Sequence, residues 1–515
     1  MKTLWNVPAL ALGLALALSS AGCKKKVDGK PATGGTSSGG ASGETVKATP
    51  LQPFGVLDPT PRLSSEAGKS LEAAWKAYKA KSWSDAQQHF TAVVTAAPDY
   101  LPARWALVRT LAQGGQFGEL PAAFEALIAR DFLNYWKKLD DGKEFTALRA
   151  APEWSKIGAL KARYSDAFQK GFVTGIYVVL ASKAQKDLVW NKDVAELHQN
   201  QEAYHYDPES KRFTRVTETG GHVQAILPSK DGKAVAFLVA DKLVRISEGR
   251  EAYVEPKIGV VDLDDLSTTG PAPLKASTEL VVLMQAKDLS WHFGFRTEGK
   301  DKYYAFDTAK TGLTELDIDA ESVFVGKTAS SPKELLYTAP VQEGTVEIKS
   351  DKQFLVQGSP QVIVAARPIA AASFAWSPKK SRVAYAGVLD ACALAEAKEA
   401  AKDPKKKAKV DPDKGKNELF VFDKQKGAAQ RLAQGVSSYR VVWFDDDKVV
   451  FDEGIGASAK VIVYSINDHA PTPLPTRFGA GLFGLPVASC KQAELAPTTP
   501  PPDAEGENVP ADEGD

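Results

Sequence analysis

The side chains able to hold a metal or to act as nucleophile, acid or base are few and scattered. His89, His198, His205, His222, His292 and His469 form neither a His-x-x-x-His pair nor a Glu-His pair at helical spacing, and no Cys-x-x-Cys occurs. A zinc site therefore has no pattern to stand on. Asp262, Asp264 and Asp265 cluster, as do Asp411 and Asp413, but the second group lacks the acidic residue that closes an EF-hand loop. Solvated turn carboxylates are the simpler reading of both. There is no Gly-x-Ser-x-Gly elbow, and the run GGTSSGG has no strand before it and no helix after it to cradle a phosphate. The expectation is a chain with no catalytic, metal or cofactor-binding residues, one that is not an enzyme.

Chemistry of another kind is written at the N-terminus. Lys2 and an apolar run from Leu4 to Leu18 make a secretory signal over residues 1–22, because the run is shorter than the ~20 residues needed to span a bilayer. It ends in Ser20-Ala21-Gly22-Cys23, which resembles the lipobox of bacterial lipoproteins, with Ser20 where leucine is commoner. The resemblance implies cleavage before Cys23, acylation of its thiol and a place in the cell envelope. Lys24, standing where an aspartate causes inner-membrane retention in some bacteria, implies the outer membrane, facing the periplasm. With Cys23 lipidated, Cys392 and Cys490 are left as an even pair outside the reducing cytoplasm. A disulfide between them would close a loop of roughly 100 residues, with about 4.7 kcal/mol of stabilisation in the chain-entropy model. Two buried free thiols are the alternative.

Composition sets the frame for these groups. The 515 residues exceed one small core, and 43% hydrophobic content suffices for two or more domains. Lys plus Arg and Asp plus Glu are each 64, so no basic field exists of the kind that drives nucleic-acid binding. Residues 23–60 carry Cys23 and then a Gly-, Ser- and Thr-rich stretch that reads as a flexible linker, with Lys24, Lys25 and Lys26 beside the lipid. Residues 491–515 are Pro-rich and acidic and read as a disordered tail.

Residues 61–171 have helical periodicity and contain a repeat. Trp83, Phe90 and Val93 recur 34 residues later as Phe117, Phe124 and Leu127, and Ala74 and Ala86 recur as Val108 and Leu120. The period, the late aromatic and the closing Pro98 resemble the tetratricopeptide repeat, with Pro121 and the larger Val108 and Leu120 as departures. Phe145 to Arg149 and Pro152 to Trp154 resemble the helical extension that caps such arrays. The resemblance implies a concave groove for a peptide or protein. Trp75, Tyr78, Arg104, Trp105 and Arg109, on the first helices of the units, are the partner-binding candidates. Core packing is the commoner role of a Trp at this spacing.

From residue 172 to 490 the texture changes to short strands between Gly, Asp, Pro and Lys turns. One phrase recurs as Leu227-Pro-Ser-Lys-Asp-Gly-Lys233 and Phe374-Ala-Trp-Ser-Pro-Lys-Lys380. A second, a strand running into Asp and a polar turn, recurs at Asp207, Asp262, Asp307 and Asp423. These resemble the inner turns of TolB-like and WD-type β-propeller blades, with Lys379 at the usual aspartate position. About 320 residues at ~40–50 per blade give six to eight. Six fits the phrases, near 172–217, 222–276, 279–316, 321–368, 372–434 and 438–488, with a charged insertion at 392–416 in the fifth. The fold class expected is multidomain: an N-terminal all-α tetratricopeptide-like array followed by an all-β, six-bladed propeller. The function expected is a membrane-anchored, non-catalytic protein-protein interaction scaffold whose partner is an envelope protein or peptide. A small-ligand binder or enzyme with its site in the propeller channel is the alternative.

Overall fold

The structure, a computed structural model, describes with short interruptions residues 54–170, 175–316, 346–364, 375–386, 417–454 and 458–485. The signal sequence, Cys23, Cys392, Cys490, the 392–416 insertion and the 491–515 tail lie outside the described residues, and with them the expected lipidation and disulfide. Seven α-helices come first among the described residues and antiparallel sheets follow.

The helices are α1 (Ser65–Lys79), α2 (Trp83–Ala96), α3 (Leu101–Gln113), α4 (Leu120–Ile128), α5 (Phe132–Asp141), α6 (Thr146–Arg149) and α7 (Trp154–Lys170). The Ser64 hydroxyl caps α1 by accepting from the Ala67 amide at 3.1 Å. Pro102 and Pro121 stand in the first turns of α3 and α4, where a missing N–H leaves no bond unmade. All the positions in the 34-residue register that face inward do so completely: Ala74, Ala86, Phe90, Val93, Val108, Leu120, Phe124 and Leu127 are 0% exposed. The second hairpin is shorter than the first, since the helix after Phe117 begins only at Leu120. Arg149 ends the next turn of the chain by donating to the carbonyls of Leu139, Asp140 and Gly142 at 3.0, 2.6 and 2.7 Å, which supplies partners to the open end of α5.

The first sheet has the spatial order Ala480–Leu482, Ile176–Ala181, Gln201–Asp207, Arg212–Arg215. Its edge strand thus comes from the far end of the described chain, Val178 pairing with Leu482. A sequence reading that runs the last unit from 438 to 488 misplaces this strand: it belongs with the first unit. Further four-stranded sheets span Val223–Pro228 to Thr268–Pro273 and Glu279–Gln285 to Gly312–Leu316, and a three-stranded sheet spans Val346–Ser350 to Val362–Val364. Seven strands from Ala375–Trp376 to Ala470–Pro473 share one ladder. The long strand Ala428–Trp443 joins its halves, pairing first with Asn417–Asp423 and, after a register shift between Val436 and Val441, with Lys448–Glu453. A sheet absent from the sequence reading, made of Trp190–Asn191, Val194–Glu196, Lys242–Ser247 and Arg250–Tyr253, links loops of the first two units.

The two recurring phrases have one physical cause each. In the first, the Ser229 hydroxyl accepts from the Lys233 and Ala234 amides at 2.9 and 2.8 Å, and Ser377 does the same for Arg382 at 3.2 Å, so serine ties off a tight hairpin. In the second, an aspartate at the strand end accepts from amides two and three residues on: Asp207 from Glu209 and Ser210, Asp423 from Gln425 and Lys426. The Asp262 carboxylate accepts likewise from Asp264 at 2.7 Å, which accounts for that acidic cluster as turn chemistry.

Candidate functional site

Helices α3 to α7 and the first sheet share one hydrophobic core, while α1 and α2 pack with α3 in a cluster of their own. The shared core runs from Val108, Phe124, Trp136 and Phe168 of the helices to Ile176, Tyr204, Phe213 and Leu482 of the sheets. Phe54 to Asp58, within the stretch expected as linker, is built into this junction. Phe54 lies edge-on against Tyr164 and Phe168, with ring centroids at 5.2 and 6.0 Å. Gly55 donates to Ala129 O at the end of α4 at 2.7 Å, and Val56 exchanges two backbone hydrogen bonds with Phe213 at 2.9 and 2.8 Å. The segment is a strap that ties helix to sheet edge. Gly55 has φ +77°, and a Cβ there would lie 2.4 Å from Phe213 O. Only glycine meets both demands.

Charged groups fix the same joint from the other side. Asp131 caps α5 and is 2% exposed, and the Arg215 guanidinium of the sheet sits 3.0 Å from its Oδ2 and 3.0 Å from Glu218 Oε2. Arg215 also lies over the Tyr204 ring at 5.4 Å. Burial opposes the Arg215 charge, but Asp131, Tyr204 and Glu218 raise its pKa well above the ordinary value. Burial pushes the Glu218 carboxyl up, with Arg215 working against it. Next to this pair the buried Glu202 carboxylate accepts from Thr217 Oγ1, from Thr219 N at 2.7 Å and from Gly221 N at 2.8 Å.

Beside the strap lies an open cleft of about 640 Å³, walled by α2's end, the strap and two loops of the sheets. Four arginines line it, Arg62, Arg130, Arg212 and Arg477, with two carboxylates, Asp58 and Asp99. Both carboxylates are engaged. Asp99 accepts from the Leu57 and Asp58 amides at 2.8 and 3.2 Å and from Arg130 Nε at 3.2 Å. Asp58 accepts from Thr60 N at 2.8 Å and from its hydroxyl at 3.3 Å. Arg212 donates to Gly55 O at 2.9 Å, and Arg477 lies over the Phe478 ring at 4.8 Å. Among the described residues neither Arg62 nor Arg477 has a carboxylate partner.

The five residues singled out in the sequence separate into three places. Trp75, Tyr78 and Arg109 join one aromatic packing group: Trp75 is edge-on to Tyr78 and Phe90 at 5.5 and 5.2 Å, and Arg109 lies over Tyr78 at 5.5 Å and pairs with Glu144 at 3.0 Å. Trp105 packs at 5.4 Å from Tyr135 and 5.3 Å from Phe145. All five are partly buried, so each keeps some surface beside its internal contacts. Arg104 donates to Pro98 O near the cleft. Burial and the Arg130 charge bring its guanidinium down to about 10, against the pull of Asp99, and it stays cationic at neutral pH. The cleft arginines themselves escape sequence reading, because residues 62, 130, 212 and 477 share no spacing. Only the fold gathers them. Among the described residues no group of three His, Cys, Asp or Glu side chains is placed to hold a metal ion, and no helix is long and apolar enough to cross a membrane.

No family model and no curated protein matches the chain. Solved structures that resemble it include TolB from Acinetobacter baumannii, at 12% identity and TM-score 0.35, covering 64% of this chain and 72% of that one. The β-propeller domain of the trilobed protease from Pyrococcus furiosus is similar at 15% identity and TM-score 0.24, over 58% of this chain and 85% of that one. An oligogalacturonate lyase in complex with manganese is similar at 11% identity and TM-score 0.25, over 58% and 85%. Likenesses of this size assign no activity to the chain.

Proposed function

We propose that this chain is a lipid-anchored protein of the bacterial envelope that works as a non-catalytic binding scaffold, a tetratricopeptide-like helical array seated on a six-bladed β-propeller. The propeller reading is supported by the series of antiparallel sheets in chain order, by the two turn types that recur between their strands, and by the pairing of Ala480–Leu482 with Ile176–Ala181. That pairing brings the two ends of the β region together, as ring closure requires. The 34-residue register of fully buried positions supports the repeat reading of the helices.

The observation that carries the scaffold reading is the joint. A strap, a shared core and a buried ion pair hold helices and sheet at a fixed angle, and the cleft they frame exists on neither part alone. A fixed junction presents a surface at low entropic cost to the partner that docks on it. Acylation at Cys23, followed by the linker, would hold that surface at a leaflet, with two acyl chains anchoring more firmly than one.

Two measurements test this. Fatty-acid labelling should mark the native chain and not Cys23→Ala, which should leave the membrane fraction; an unlabelled native chain would remove the anchor from the reading. In-cell crosslinking followed by mass spectrometry should recover an envelope protein in near-equal amount. Recovery of no envelope protein across crosslinkers of different reach would defeat the scaffold assignment.

A further inference from the structure

The junction cleft is a site of unbalanced charge in a chain whose formal net charge is zero. It brings four guanidiniums against two carboxylates, and both carboxylates are occupied by backbone amides, a hydroxyl and Arg130. Arg62 and Arg477 are exposed at its rim. Arg212 and Arg130 are half-buried and held by carbonyls, Gly55 O at 2.9 Å and Ala126 O at 2.7 Å. Two fixed cations deeper in and, at the rim, two that have no carboxylate partner among the described residues make a graded positive slot. Guanidinium forks match carboxylates in pairs of parallel hydrogen bonds, which a point-like ammonium does not. The slot is open rather than closed, and its guanidiniums come from four separate stretches of the chain, so it suits a chain of carboxylates and not a single small acid.

We propose that this cleft binds an acidic peptide segment, with Arg62 and Arg477 reading its carboxylates and Arg130 and Arg212 fixing the floor. The inference rests on the scaffold reading and names the chemistry of its partner. The occupant is an acidic segment of a partner protein; this chain's own residues 497–515, which carry six carboxylates and no Lys or Arg, are the alternative that the test tells apart. A segment in the same chain competes at an effective concentration of order millimolar.

The test is fluorescence anisotropy of a labelled octaglutamate peptide titrated with the full chain in detergent micelles, at low and at raised salt. Saturable binding that weakens with salt is expected, at least tenfold weaker in the double variant Arg62→Glu, Arg477→Glu and unchanged in Lys79→Glu. The double variant Arg62→Lys, Arg477→Lys keeps the charge and should still lose part of the affinity, which separates fork recognition from bulk attraction. Melting temperatures of all variants are compared so that misfolding is not read as lost binding. Neutralising the six carboxylates of residues 497–515 then tests the occupant: unchanged peptide binding supports a partner's segment, and tighter binding would mark the tail as the resident occupant and overturn the partner assignment. No binding by either the native or the tail-neutralised chain, or binding unaffected by Arg62→Glu, Arg477→Glu, overturns the proposal. So does equal affinity for an oligothymidylate of the same charge. None of these results touches the crosslinking test, so the scaffold can stand while the cleft fails.

Discussion

A single carboxylate, Asp131, decides whether the joint between helices and sheet is stable. It is the partner of a guanidinium that has little water to fall back on, since the Arg215 side chain is 19% exposed. Removing Asp131 leaves that guanidinium with Glu218 alone and takes the cap from α5. Asp131→Ala is expected to destabilise the chain by about 3 kcal/mol in urea unfolding, well beyond the loss from Lys170→Ala, whose partner Asp166 is largely in water. The turn aspartates set an acid limit of a different kind. At Asp207 burial raises the pKa, but the Ser210 hydroxyl and the amides of Glu209 and Ser210 outweigh it and hold the group below its usual value. Asp423 is held down likewise by Lys426 and Gln425 amides and by Arg382. The unfolded chain therefore takes up protons first as pH falls, so the stability these groups lend is complete above about pH 4 and lost below it. Asp207→Asn should flatten the fall of melting temperature in that acid window. Glu218 has the opposite sign: burial raises its pKa, so its contribution declines as pH rises above the ordinary carboxylate value. The turn aspartates were legible in the sequence because their partners are two and three residues away. Asp131 and Arg215 were not, for the pair has no local spacing to betray it.

At the scale of elements, the recurring hairpin turns show how far a phrase can predict a shape. Gly232 and Lys380 occupy the same place in the two serine-tied turns, with φ +72° and +54°. Lysine bears a Cβ in a conformation that disfavours one. Lys380→Gly is expected to stabilise the chain by about 0.5–1 kcal/mol, read as a rise in unfolding midpoint, although Lys379 N–H also bonds Asp446 and Arg382 bonds Asp446 O nearby. The Trp, Ser and Pro of this turn were readable without a structure, and so was the 34-residue register of the helices, because each is set by local contacts. The extra sheet joining residues 190–196 to 242–253 was not, since its strands are short and its partners lie in different units. The same is true of the edge strand paired with Ile176–Ala181. Ala480–Leu482 is three residues long, and its place is fixed by a distant group, the fully buried Asp452, which accepts from Leu482 N at 2.6 Å. Asp452→Ala should raise hydrogen exchange at Val178 to Leu180 and at 480–482 more than elsewhere, at a cost of about 2 kcal/mol.

Across the whole molecule, the shared core means that α3 to α7 and the first sheet are not separable parts. Urea unfolding followed by helical circular dichroism and by hydrogen exchange at Ile176–Ala181 and Gln201–Asp207 should give coincident midpoints for the helices and the first sheet. Gly55→Ala, which breaks the strap, should destabilise the chain by about 2 kcal/mol through the left-handed backbone alone, read as a lower common midpoint, before its clash with Phe213 O is counted. The edge strand Ala480–Leu482 adds a matter of timing. Val178 waits for Leu482, about 300 residues downstream. Until that strand is synthesised, Ile176–Ala181, buried throughout in the finished fold, offers an unpaired apolar edge of the kind that recruits other nascent chains. A holdase chaperone that shields this edge should therefore raise the yield of folded protein far more than it raises the yield of the helices, which are complete long before.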